Sequence, residues 1–228
     1  VLATLGATAE APPPTLTALR SSRAFIGRHA QLAAITGAYQ VSAQGRGVLA
    51  LVHGRSGSGK SALVRRFLDA LSVHEPRVLI LRGRCYDLES VPFKAVDSLI
   101  DDLSGHLKSL PSAGARELVP RDVHALARLF PVLRQISAVQ RAPRPEREAR
   151  DTSEVRHRAA GALRELLARI AARRPVVLFV DDLHWGDADS APLLAEILRP
   201  PAEPRLLVVA SYRTEEAATS PFLQLFLP

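Results

Sequence analysis

Lys60 and Ser61 close the run Gly54-Arg55-Ser56-Gly57-Ser58-Gly59-Lys60-Ser61, which fits G-x-x-x-x-G-K-[ST]. In such a run the glycines let successive backbone N–H groups converge on phosphate oxygens. The helix that begins at its end adds a positive dipole. Lys60 is spaced to reach β- and γ-phosphates as a point charge, and Ser61 to offer its hydroxyl to a bridging Mg²⁺. Gly54 to Ser61, with the following Ala62, form the candidate phosphate-binding set. Asp181 and Asp182 stand at the end of a second apolar run, where a carboxylate can hold Mg²⁺ through water and its neighbour can orient or deprotonate an attacking water. The bland alternative, two acids capping the next turn, loses ground once the phosphate loop is present. A third apolar run ends in Ser211-Tyr212-Arg213, whose polar Ser211 and Arg213 can point at the γ-phosphate, although Arg213 can also lie on the surface as an ordinary arginine.

This chemistry demands a strand before the loop and a helix after it. Residues 48–52 are continuously apolar, as a strand buried on both faces requires. Leu63, Val64, Phe67, Leu68 and Leu71 then recur at helical spacing, with Arg65, Arg66 and Asp69 opposite. Residues 78–81, 176–180 and 206–210 read as three further buried strands. Between the second and third lies a long helical stretch, 93–172. Its first helix carries Val96, Leu99, Ile100, Leu103 and Leu107 on one face, and Asp97, Asp101 and Asp102 on the other. Helix continues over 123–139, broken near Pro131, which lacks a donor. Asp151-Thr152-Ser153-Glu154 resembles a capping box and opens a helix that buries Val155, Ala159, Leu163, Leu166, Leu167 and Ile170. Pro175 stops it. Residues 191–199 form a short helix.

The whole chain of 228 residues is 47% hydrophobic and 23% charged, an ordinary globular composition. It has no repeat, no apolar run of membrane-spanning length and no secretory pattern at its N-terminus, so a cytoplasmic location is expected and a membrane partner is not. A single cysteine, Cys85, excludes an internal disulfide framework and reads as a small core filler. The seven histidines show no metal-ligand spacing; His184, beside Trp185, reads as a packed residue fixing its loop. The net charge of +7 raises the question of nucleic acid. Its one arginine concentration (Arg141, Arg144, Arg147, Arg150) is diluted by Glu146, Glu148 and Asp151 and lacks interleaved aromatics, which favours a solvated linker over a nucleic-acid site. The chain begins at Val1, contains no methionine, opens with a Pro-rich linker over 1–22 and stops soon after an apolar strand. A P-loop domain over 23–228, cut from something longer, is the expectation.

The order Phe25-Ile26-Gly27-Arg28, phosphate loop, Arg82-Gly83-Arg84-Cys85-Tyr86, Asp181-Asp182-Leu183-His184-Trp185 and Ala210-Ser211-Tyr212-Arg213 resembles the signal-transduction ATPases with numerous domains (STAND), within the AAA+/ASCE P-loop superclass. The likeness covers about 23–215 and is greatest to the AAA-type modules of bacterial multidomain serine/threonine kinases and large ATP-binding transcriptional regulators. It implies a three-layer α/β fold whose parallel sheet is ordered 5-1-4-3-2. Strands one to four are visible, giving order 1-4-3-2 with the fifth strand apparently missing. It implies that Phe25, Ile26, Gly27 and Arg28 form the wall beside adenine, and that Arg213 senses the γ-phosphate.

These readings converge on a regulatory ATPase module that binds ATP or ADP with Mg²⁺ and hydrolyses ATP slowly. Lys60, Asp182 and Arg213 carry the reaction, Ser61 and Asp181 hold the metal, and other domains of the parent chain, a protein kinase or DNA-binding domain, receive the signal. The alternative is a nucleotide-bound scaffold that binds partners through 93–172 without meaningful turnover. The uncovered edge strand is an association hazard, which leaves a homo-oligomer open.

Overall fold

The four apolar runs become four parallel strands in one sheet. The computed structural model describes residues 28–87, 92–144, 151–199 and 204–227. Its strands are β1 (Val48–Gly54), β2 (Leu79–Arg84), β3 (Val176–Asp181) and β4 (Leu206–Arg213), in the order β1-β4-β3-β2. Val48, Leu207, Val177 and Ile80 lie in one row across it. The order is the expected one, with the β1 strand at an edge among the described residues.

Alternation along each strand divides the core in two. Leu178, Val180, Leu206, Val208 and Ala210 pack into one apolar cluster, and Val177, Phe179, Leu207 and Val209 into the other. A strand with helices on both faces has no polar side, which is why the runs are unbroken. Helices α1 (His29–Ala43) and α2 (Lys60–His74) cover the second face through Ile35, Leu63, Val64, Phe67, Leu68 and Leu71. The first face is covered by α3 (Lys94–Ser109) and by the helices that follow it. These are α4 (Ser112–Leu118), α5 (Val123–Leu129), α6 (Ser137–Gln140), α7 (Thr152–Ala171) and α8 (Ser190–Ile197).

The local signals hold where they were strong. The α5 helix ends two residues before Pro131, which opens a 3₁₀ turn, and the Asp151 side chain accepts the Glu154 N–H at 2.7 Å at the start of α7. Two short helices were not anticipated: α4, and α9 (Pro221–Phe226), whose Ser220 cap and Pro221 start are the signals that could have revealed it. The second strand also runs on to Arg84 rather than ending at Leu81. Asp102 lies on the exposed face, as expected, and its carboxylate also accepts the Arg82 N–H at 2.8 Å, because β2 edges the sheet and its outward donor needs a partner. No helix among the described residues is long and apolar enough to cross a membrane.

Candidate nucleotide site

β1 delivers the chain to the 54–61 loop at the carboxyl edge of the sheet. Gly57 and Gly59 take φ of 70° and 80°, which side-chain-bearing residues rarely adopt. Gly59 is the N-cap of α2 and provides no side-chain cap, so no capping side chain occupies the first N–H groups of that helix. Lys60 is only 7% exposed, and its Nζ donates to the carbonyls of Gly54 at 2.9 Å and Arg55 at 3.0 Å. The ammonium is bonded directly only to carbonyl dipoles, and no carboxylate touches it as an ion-pair partner among the described residues. Ser58 Oγ is buried and without a hydrogen-bond partner among the described residues. The cradle therefore combines a cation without an ion-pair contact, the uncapped N-terminus of α2 and an orphaned hydroxyl, a donor set that fits an anion with several oxygens.

The acidic side is tightly wired. Ser61 Oγ donates to Asp181 Oδ1 at 2.8 Å, and Ser211 Oγ donates to the same oxygen at 2.5 Å. Ser211 Oγ also accepts the Asp182 N–H at 3.1 Å, so one hydroxyl at the end of β4 fixes both acids. Asp181 is 3% exposed; Arg65 lies 3.8 Å from its Oδ2, but with 61% of its own side chain exposed it contributes little. Asp182 adopts φ 55°, and its Oδ2 receives Arg84 NH2 at 3.0 Å. Arg84 stands opposite Asp181 in the β2–β3 register, which brings it within reach of the next residue. Sequence reasoning noted Arg84 only as part of a motif and gave it no role, because it ended the second strand three residues early.

Arg213 lies opposite Gly54 in the β1–β4 register, and its guanidinium sits 5.7 Å from the Trp185 ring centroid. Arg28 donates to the Ser58 carbonyl, against the phosphate loop. Phe25, Ile26 and Gly27 lie outside the described residues. His184 packs on Trp185 with centroids 4.9 Å apart, as expected, and neither ring nitrogen has a hydrogen-bond partner among the described residues. Burial holds its imidazole below the usual range, against the opposing pull of Asp182, which keeps the ring neutral.

The turn that carries these residues, Leu183–Trp185, is held by α9. A Cβ on Gly186 would meet Phe222 at 2.6 and 2.8 Å and the Leu183 carbonyl at 3.0 Å. Gly186→Ala is therefore expected to lower stability by about 1–3 kcal/mol, read from urea unfolding. Adding Phe222→Leu should recover part of that loss; no recovery would mean that the Leu183 carbonyl is the limiting clash.

Comparison with known proteins gives the family. The sequence profile of the AAA ATPase domain matches residues 24–209. The chain is similar to the uncharacterized protein R02095 of Rhizobium meliloti (strain 1021), 27% identical over 176 residues, which are 76% of this chain and 17% of that protein. Among solved structures it is similar to a chain in the Drosophila ORC complex bound to GC-rich DNA and Cdc6, at 16% identity and a TM-score of 0.36, covering 87% of this chain and 54% of that one. A chain in the complex with AT-rich DNA and Cdc6 gives 15% identity and 0.34, covering 85% and 55%. The match takes in the phosphate loop and the paired acids and ends within the fourth strand, and on it the chain belongs to the AAA ATPase domain family.

Proposed function

We propose that this chain is the ATP-operated switch of a larger bacterial signalling protein, a STAND-class module that binds ATP with Mg²⁺ and hydrolyses it slowly in the cytoplasm. The observation that carries the reading is Lys60, an almost fully buried ammonium whose only described acceptors are the Gly54 and Arg55 carbonyls. Phosphate oxygens supply the charge it lacks. Backbone donors from Gly54 to Ala62 take the remaining phosphate oxygens, while Phe25, Ile26, Gly27 and Arg28 wall the base.

Ser61 and Asp181 hold the Mg²⁺, a hydroxyl and a carboxylate being the sparse protein set suited to an ion that keeps waters and phosphate ligands. A bound ion would supply neutralisation of phosphate charge. Asp182 orients or deprotonates the attacking water, and Arg213 sits against the γ-phosphate. Catalysis in this reading is positioning and charge neutralisation, and hydrolysis is a timer. The Rhizobium meliloti relative, of which the chain spans 17%, supports a place within a longer bacterial protein. Calorimetric titration of MgATP and MgADP into the protein, followed by phosphate release, tests this. Saturable binding with slow release is expected. Binding without release would shift the reading to the scaffold, with partners docked on 93–172, and no binding by folded protein would end both.

A further inference from the structure

Glu215 reaches back onto the phosphate loop from the turn that follows β4. Its Oε1 accepts the Ser56 backbone N–H at 2.9 Å. Its own backbone N–H, that of Ser56, and the nearby Lys60 and Arg213 hold the carboxyl below its usual range, so it is a full carboxylate at neutral pH. Two of those groups, Lys60 and Arg213, are the cations assigned above to the phosphates. The turn is tied down beside it: Thr214 Oγ1 lies 3.4 Å from His53 Nδ1, and the His53 ring stacks on Tyr212 at 5.5 Å. Downstream, the Glu216 carbonyl accepts the Ser220 N–H at 2.9 Å, and Ser220 caps the helix whose Phe222 lies against Gly186.

We propose that Glu215 is a specificity-determining residue of the nucleotide site, a built-in anion that competes with the terminal phosphate of a nucleoside triphosphate and biases the site toward the diphosphate. The inference rests on the nucleotide reading of the same site. A γ-phosphate brings negative charge to Lys60 and Arg213, where the Glu215 carboxylate already stands; like charges sharing those cations repel. A diphosphate reaches Lys60 through its β-phosphate but, in the reading above, has no group that extends to Arg213. Triphosphate binding therefore moves Glu215 off Ser56, whereas diphosphate binding leaves it in place. Release of Glu215 removes one of the contacts that hold the 214–216 turn, the Thr214–His53 and Glu216–Ser220 contacts remaining.

Two variants separate charge from hydrogen bonding. Glu215→Gln keeps an acceptor for Ser56 without the charge, and Glu215→Ala removes both. The side chain is exposed, so neither variant threatens the core. MgATP and MgADP are titrated calorimetrically into the full chain and both variants, at low and high salt. Glu215→Gln is expected to tighten MgATP by about fivefold at low salt, with MgADP changed far less and the gain shrinking in high salt. Glu215→Ala should do at least as much. An unchanged ATP-to-ADP ratio in both variants, or weaker ATP binding, overturns the proposal while the nucleotide reading stands. Absence of any binding by the parent chain and both variants overturns the two together, since unlatching should then have exposed a site.

Discussion

Lys60→Ala is expected to weaken MgATP and MgADP binding by about a hundredfold, as loss of a charge-assisted contact to phosphate predicts, while leaving stability within about 1 kcal/mol of the parent. The separation of the two effects follows from where Lys60 sits. Its ammonium is almost fully buried with only two carbonyl partners, so its removal relieves desolvation. The Gly54 and Arg55 carbonyls lose a donor, but Gly54 is half-buried and Arg55 exposed, and water can replace it. The two changes oppose each other. With phosphate bound the balance is lost, because no other described cation is buried in the loop. Calorimetry reads the affinity, and urea unfolding of the same samples reads the stability. A variant that binds ATP as the parent does would show that Lys60 is a packing residue, and the switch reading would fall with it.

The elements that position this site were legible wherever the physics was local. A strand buried on both faces must be apolar throughout, so residues 176–180 and 206–210 could be read directly; residues 48–52 do form a strand, but at the sheet edge they are only half-buried. The phosphate loop is a contiguous set of residue types, and Asp181 follows its strand at once. What stayed hidden depends on register between distant segments. Arg84 meets Asp182 only because β2 lies beside β3, and nothing local to the Arg82-Gly83-Arg84 segment announces that neighbour. Ser211 was read as a polar residue near the γ-phosphate, yet its hydroxyl donates to Asp181 and accepts from the Asp182 backbone. Glu215 escaped notice for the same reason: its partner is a backbone N–H far away in sequence, and a backbone donor leaves no compositional trace. The left-handed conformation of Asp182 was also invisible, since aspartate is among the few residues that tolerate it without glycine.

That conformation makes Asp182→Asn an informative substitution. Asparagine enters the left-handed region as readily as aspartate, so the turn should survive and the Asp182 N–H should keep Ser211. What is lost is the carboxylate. If it orients or deprotonates water, phosphate release should fall by about 10²- to 10⁴-fold, the range for removal of a general base, with ATP affinity nearly unchanged. The protein would then persist in its ATP state, the behaviour expected of a timer and not of a scaffold. Arg84→Gln supplies the opposite arm. Arg84 engages Oδ2 at 3.0 Å and leaves Oδ1 for water, so its loss frees the whole carboxylate. The arginine is 48% exposed, and a pair of that kind contributes about 1 kcal/mol at most, which limits the expected acceleration to about fivefold. Single-turnover phosphate release from preloaded ATP measures both variants. Unchanged rates in Asp182→Asn would remove Asp182 from the reaction. A slower rate in Arg84→Gln would mean that the arginine aims the carboxylate instead of restraining it.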